Sequence, residues 1–410
     1  MRHWVSAALA CSVAAGAFVS GAQQAPVFRS GADVIEVIAY AADRRGAPVR
    51  DLSRADFVVE EDGVPQDITQ FSLVDIPRGA SKPSSNVTGP AGQAGPSALQ
   101  GDRSYILLLD ARHVDPLRSG NVRRQAKRFV DKYVEPGDVA AVVMLGGTNY
   151  QGFTSDKKLL EKVIDTFIGG KARSATVNKL ESQMRNAGDG APRDYENAVK
   201  ATDARALFDA LRQLCDNFGV SQGRRRSVLV FSEGIEMDLT DMIGPSPSSG
   251  GAEATASSLP STYAAELLAA QRAMLDAARR SNVSLYTIDP RGTSVGEDTL
   301  MQATSQPPAG RGVPTPPPPT VEVEREVQRS QGVLRLFAEQ TGGFAVVNTS
   351  DFDRGFGRIA DANSVYYVIG YSSTNTVANG KFRRIKVRVV RQGIEVTARP
   401  GYYAADPVRH

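Results

Sequence analysis

Asp110, Thr154, Glu233 and Asp289 each fall at the end of an apolar run or just before a helix start. Asp110 closes Tyr105-Ile106-Leu107-Leu108-Leu109, Glu233 follows Val228 to Ser232, and Asp289 follows Val283 to Ile288. If these runs are strands of an open parallel sheet, the four side chains gather at its carboxyl edge, where such sheets bind ligands. Arg112 and His113 lie just beyond Asp110. Carboxylates, a hydroxyl and a guanidinium in one crevice can pair charges with a partner, and a histidine beside them could serve as a base. The bland reading is that the acidic groups only cap strands and helix starts.

Catalysis has few residues to draw on. The chain has three histidines, and two remain if the first residues are removed on export: His113 and the terminal His410. A Ser-His-Asp or Cys-His arrangement would have to use His113 as its base. No nucleophile elbow, phosphate loop or dinucleotide fingerprint occurs, and a zinc site is short of ligands. The expectation is a chain that is not an enzyme and carries no cofactor. A hydrolase using His113 or a carboxylate pair is the alternative.

The elements that must hold the crevice read as follows. Residues 27–77 are a β segment, with Asp62-Gly63 as a hairpin turn. Residues 78–102 are rich in Ser, Gly, Pro and Ala and read as a linker. From 103 to 360, buried apolar runs alternate with helical spacing, which implies a mostly parallel, doubly wound α/β sheet. Polar or Pro-rich stretches near 171–200, 243–260 and 303–320 read as insertions. Residues 361–404 return to strands: Tyr366 to Tyr371, Phe382 to Val390, and Ile394 to Thr397, the last two expected to pair as a hairpin. Neither terminal strand set is large enough to stand alone, so the two are expected to form one small β-sandwich.

Residues 1–22 read as an export signal, with Arg2, an apolar stretch from Val5 to Val19, and Ser20-Gly21-Ala22 for cleavage. That places the chain in the periplasm or outside the cell. Cys11 would leave with the signal, and Cys215 reads as a buried, inert thiol. A net charge of +3 does not call for nucleic acid, and the basic runs lack interleaved aromatics. No later segment is apolar enough to cross a bilayer.

The α/β stretch resembles a von Willebrand factor type A domain, on the strands ending at Asp110 and at Ser232-Glu233-Gly234 and on Phe153-Thr154-Ser155-Asp156. The whole chain resembles the VWFA-related proteins common in Acidobacteria. The matching residues are Gly46-Ala47-Pro48-Val49, Leu52, Asp56-Phe57 and Glu61-Asp62-Gly63, then Tyr366-Tyr367-Val368-Ile369-Gly370-Tyr371 and Arg399-Pro400-Gly401-Tyr402-Tyr403.

The resemblance implies a metal-ion-dependent adhesion site, in which Asp-x-Ser-x-Ser, a threonine and an aspartate hold Mg²⁺ through oxygen ligands. Here Asp110 and Thr154 match, Glu233 replaces the aspartate, and the serine positions are Arg112 and Val114. Arg112 is expected to pair with Asp110 or Glu233 in place of the ion. The expected site is therefore a degenerate one, a partner-binding crevice of Asp110, Arg112, Thr154 and Glu233 with no metal. The expected function is an exported, non-catalytic protein-binding module for adhesion or assembly in the bacterial envelope. A structural envelope protein with an inert crevice is a further alternative.

Overall fold

The structure, a computed structural model, describes residues 34–76, 79, 103–171, 193–218, 225–235, 261–293 and 320–404. The expected export signal and the stretch 243–260 lie outside the described residues, as does nearly all of 78–102 and 303–320.

The amino-terminal strands are β1 (Val34–Asp43), β2 (Phe57–Glu61), β3 (Val64–Gln66) and β4 (Ile68–Asp75). β2 and β3 form the expected hairpin. Asp62 and Gly63 both take positive φ, 49° and 83°, as a two-residue turn matched to strand twist requires.

The α/β unit follows with β5 (Ser104–Asp110), α1 (Ser119–Tyr133), β6 (Val139–Leu145), β7 (Tyr150–Thr154) and α2 (Lys157–Ile164). It continues with α3 (Arg193–Phe218), β8 (Arg226–Phe231), α4 (Ser261–Arg280) and β9 (Val283–Ile288). It ends with α5 (Thr320–Gln340), β10 (Ala345–Val346) and α6 (Phe352–Ser364). The end of the expected insertion at 171–200 is thus part of α3.

These six strands form one sheet in the order β10-β9-β8-β5-β6-β7. All pairs are parallel except β6 with β7. The central strands are buried on both faces, which is why they read as unbroken apolar runs. α1, α2 and α6 cover one face through Phe129, Leu160 and Phe356. α3, α4 and α5 cover the other through Phe208, Met274 and Phe337. Cys215 lies in that second layer, fully buried, and burial pushes its thiol up to about 12, as suits an inert group.

The chain closes with β11 (Val365–Ser372), β12 (Phe382–Val389), β13 (Ile394–Ala398) and β14 (Gly401–Tyr403). Strands from the two ends of the chain build two antiparallel sheets, β13-β1-β11-β4 and β14-β12-β2-β3. Phe57, Val59 and Ile385 of one pack with Val37, Ala39, Tyr367 and Ile369 of the other. The buried carboxylate of Glu61 ties the two together by accepting from Tyr371 (2.8 Å), Ser373 (2.6 Å) and Tyr402 (3.1 Å). The expected β12–β13 hairpin does not form. After Gln392-Gly393 the chain crosses to the other sheet and β13 pairs with β1.

Arg225, buried before β8, anchors the α/β unit on β11. Its guanidinium donates to Ser284 Oγ (3.0 Å) and to the Ala362 carbonyl (3.2 Å), and its amide donates to Tyr366 Oη (3.3 Å).

Candidate functional site

The strand order reverses between β5 and β8, so the crevice opens at the carboxyl ends of these two neighbours. Asp110 ends β5 and is fully buried. A buried carboxylate must be paired or hydrogen-bonded. Its Oδ2 lies 2.7 Å from His113 Nδ1 and accepts from Ser232 Oγ at 2.8 Å, while Oδ1 accepts from the His113 amide at 3.3 Å. Burial disfavours the imidazolium of His113, yet the adjoining Asp110 outweighs it and raises that histidine above its ordinary value. Ser232 gives its proton to Asp110 rather than to His113, so these three groups do not form a nucleophile–base–acid chain.

Glu233, the next residue after Ser232, turns back under the loop that follows β5. Its Oε1 accepts from the Asp115 amide (2.9 Å) and from Arg118 (3.0 Å), and Oε2 lies 3.3 Å from Lys171 Nζ. Burial alone would push its carboxyl up. Lys171, Arg118 and Arg291 together overcome that and hold it below its ordinary value. Asp289, after β9, is gripped by Arg291 through Nε (2.8 Å) and Nη2 (2.9 Å) and accepts from Gln331 (2.9 Å). Arg291 also donates to the Glu233 carbonyl at 2.7 Å. Glu233 and Asp289 thus have internal cations beside them, and Asp110 is held by His113 and Ser232.

One expected site residue lies elsewhere, and another turns away from the buried carboxylates. Thr154 ends β7, but β7 runs antiparallel to β6 and pairs there with Ala140, whereas Asp110 pairs with Leu145. The five-residue step from Ala140 to Leu145 puts Thr154 about 16 Å away along the strand direction, at the opposite edge of the sheet. It is buried and accepts from the Asp156 amide at a helix start. Arg112 remains at the crevice rim, yet it pairs with neither Asp110 nor Glu233. It points outward and holds Asp203 of α3 at 2.6 Å. Asp110 and Glu233 are the expected residues that the crevice brings together.

The donor set does not fit the divalent ion that the type A resemblance implies. Hard cations need several free oxygen ligands. Asp110 is engaged by His113 and Ser232, Glu233 by two cations, and Thr154 is at the far edge. Among the described residues no group of three or more His, Cys, Asp or Glu side chains is placed to hold an ion.

No protein-family model matches the chain, and no curated protein matches it. Among solved structures, an aerotolerance-related membrane protein from Bacteroides fragilis is similar at 11% identity and a TM-score of 0.31, with 63% of this chain and 98% of that one covered. The conserved hypothetical protein BatB from Bacteroides thetaiotaomicron gives 13% identity, a TM-score of 0.26 and the same coverage. The type V pili tip protein Mfa5 from Porphyromonas gingivalis gives 12% identity and a TM-score of 0.31 over 85% of this chain and 67% of that one. Likenesses this distant carry no function across.

The crevice also holds residues that spacing alone did not mark. Arg118, Lys171 and Arg291 supply its internal cations. The loop after α2 lies on the loop after β5: the Gly170 amide donates to Ala111 (2.7 Å), Lys171 to Val114 (3.1 Å), and Gly169 to Ser119 Oγ (2.9 Å). Leu117 and Ile168, one on each of these joined loops, are 71% and 70% exposed.

Proposed function

We propose that this chain is an exported, non-catalytic protein-binding module of the adhesion or assembly kind, on a von Willebrand factor type A-like scaffold. The scaffold spans 103–360 and is inserted between the β segments 27–77 and 361–404. The docking surface is the carboxyl edge of the parallel sheet, and no bridging ion takes part.

One observation carries this reading. The buried carboxylates at the edge are all engaged by groups within the crevice, while Leu117 and Ile168 are left uncovered on the loops above them. Uncovered apolar side chains with charges such as Arg112 at their rim suit a docking surface. The doubly wound strand order with one antiparallel edge strand supports the type A scaffold. Among the described residues no helix is long and apolar enough to cross a membrane, which agrees with a periplasmic or secreted protein.

The test is chemical crosslinking of the full chain in envelope extract, run beside the double variant Leu117→Asp/Ile168→Asp. Both sites are exposed, so stability should change by no more than about 0.5 kcal/mol. Two lost anchors should weaken a partner at least roughly a hundredfold. The expected result is a protein captured by the wild type and lost from the variant. Equal capture by both would rule out this edge as the docking surface.

A further inference from the structure

The edge that carries Leu117 and Ile168 continues directly onto α1. Arg123 donates to the Phe167 carbonyl (2.7 Å), which sets its guanidinium beside Ile168. Arg124 donates to Asn121 Oδ1 (2.9 Å) and stands about two turns beyond Leu117, roughly 10 Å further along. Gly120, exposed and without a side chain, lies between Leu117 and the two arginines. An open depression starts here and runs along α1 past Arg123 and Arg124 to Lys127, Arg128 and Lys132.

The cations along it are unevenly matched. Lys127 pairs with Asp165 (2.7 Å), and Arg128 and Lys132 share Asp353 of α6 (2.6 and 3.0 Å). Asp131, with Glu161 beside it, adds carboxylates at the same far end. Arg123 and Arg124 differ. Among the described residues neither has a carboxylate partner, and both donate to neutral oxygens. A guanidinium carries five N–H donors in a fixed fork, so each has more to offer than these bonds use. Two arginines without an acid thus border two exposed aliphatic side chains.

We propose that the partner of this edge is an acidic protein segment, which sets carboxylates against Arg123 and Arg124 beside an apolar contact on Leu117 and Ile168. The proposal rests on the docking reading above and adds the partner's charge. A guanidinium fork grips a carboxylate through two parallel bonds. Complementary charge at a rim selects the partner and speeds its arrival. An anionic bilayer fits this surface less well. It is broad, so it would also meet Asp131, Glu161, Asp165 and Asp353 further along, and like charges repel. A segment laid at the near end of the depression avoids them.

The experiment is selection of displayed random peptides on the full chain, followed by anisotropy titration of the selected peptides. Wild type is compared with Arg124→Gln, Arg123→Gln/Arg124→Gln and Leu117→Asp/Ile168→Asp. The peptides are expected to carry Asp or Glu next to an aliphatic or aromatic residue, and to bind more weakly as salt rises. The double arginine variant should weaken them about tenfold or more. Arg123 also holds the Phe167 carbonyl, so Arg124→Gln, which gives up only the Asn121 bond, keeps the loop in place and should show part of the loss. Exchanging the peptide's carboxylate for its amide should abolish the difference between wild type and these variants. Peptides that need Leu117 and Ile168 but bind both arginine variants like wild type would overturn the acidic partner and leave the docking edge standing. If no peptide depends on either pair of side chains, both readings fall. Phosphatidylglycerol vesicles that hold wild type and release the double arginine variant, with no acidic peptide selected, would put a lipid surface in the partner's place.

Discussion

Replacing Glu233 by alanine is expected to cost about 3–5 kcal/mol of folding stability, the usual penalty for breaking a buried ion pair from one side. The change removes the carboxylate but leaves Arg118 buried and Lys171 half-buried where it was. It also frees the Asp115 amide that Glu233 accepts from. Urea midpoints at neutral pH would measure the loss. The effect has a sign in pH as well. The folded-state pKa of Glu233 is lowered from the ordinary 4.5. Its contribution is therefore complete above about that value and is lost as pH falls through the folded pKa. The gap between wild type and variant should be full at pH 7 and should close in acid, below about pH 4.5. A variant as stable as wild type at neutral pH would mean that the internal pairing is not what balances this crevice.

Gly169→Ala should be nearly as severe, at about 2–4 kcal/mol from overpacking plus lost hydrogen bonds. A Cβ there would lie 2.3 Å from the Val114 carbonyl and 2.9 Å from that of Asp115. Both neighbours are backbone, so neither can swing away. The loop after α2 must lift, and the bonds from Gly169, Gly170 and Lys171 stretch or break together. Lys171 then leaves Glu233, and Ile168 leaves its place beside the loop of Leu117. The variant should melt earlier and bind its partner poorly. Leu117→Asp/Ile168→Asp should instead lose binding with its melting temperature kept, so the pair separates a damaged scaffold from a damaged surface.

Much of the architecture could be read from residue order. The runs ending at Asp110, Leu145, Phe231 and Ile288 became strands because central parallel strands are buried on both faces and leave no polar alternation to confuse them. Asp62-Gly63 marked its hairpin for a conformational reason, since both residues tolerate positive φ. The direction of β7 was also available. Residues 146–149 alone separate it from β6, too few for the crossover that a parallel neighbour needs. Counting that connection would have moved Thr154 to the far edge at once.

The ion pairs were harder to read. Asp110-Ala111-Arg112 and Asp289-Pro290-Arg291 share one spacing, but only the second closes on itself, because Arg291 also finds the Glu233 carbonyl and Ser330 Oγ. Arg112 finds Asp203, on a helix far along the chain. Arg118 and Lys171 reach Glu233 across loops more than sixty residues apart in sequence. Side-chain direction at a loop depends on what packs above it, and no local pattern records that.

Calorimetric titration of the metal-free protein with Mg²⁺ and Mn²⁺ tests the internal balance of the crevice most directly. If Asp110, Glu233 and Asp289 are already matched by His113, Arg118, Lys171 and Arg291, neither ion should give stoichiometric heat. Tight one-to-one binding that disappears in Asp110→Ala would contradict the account.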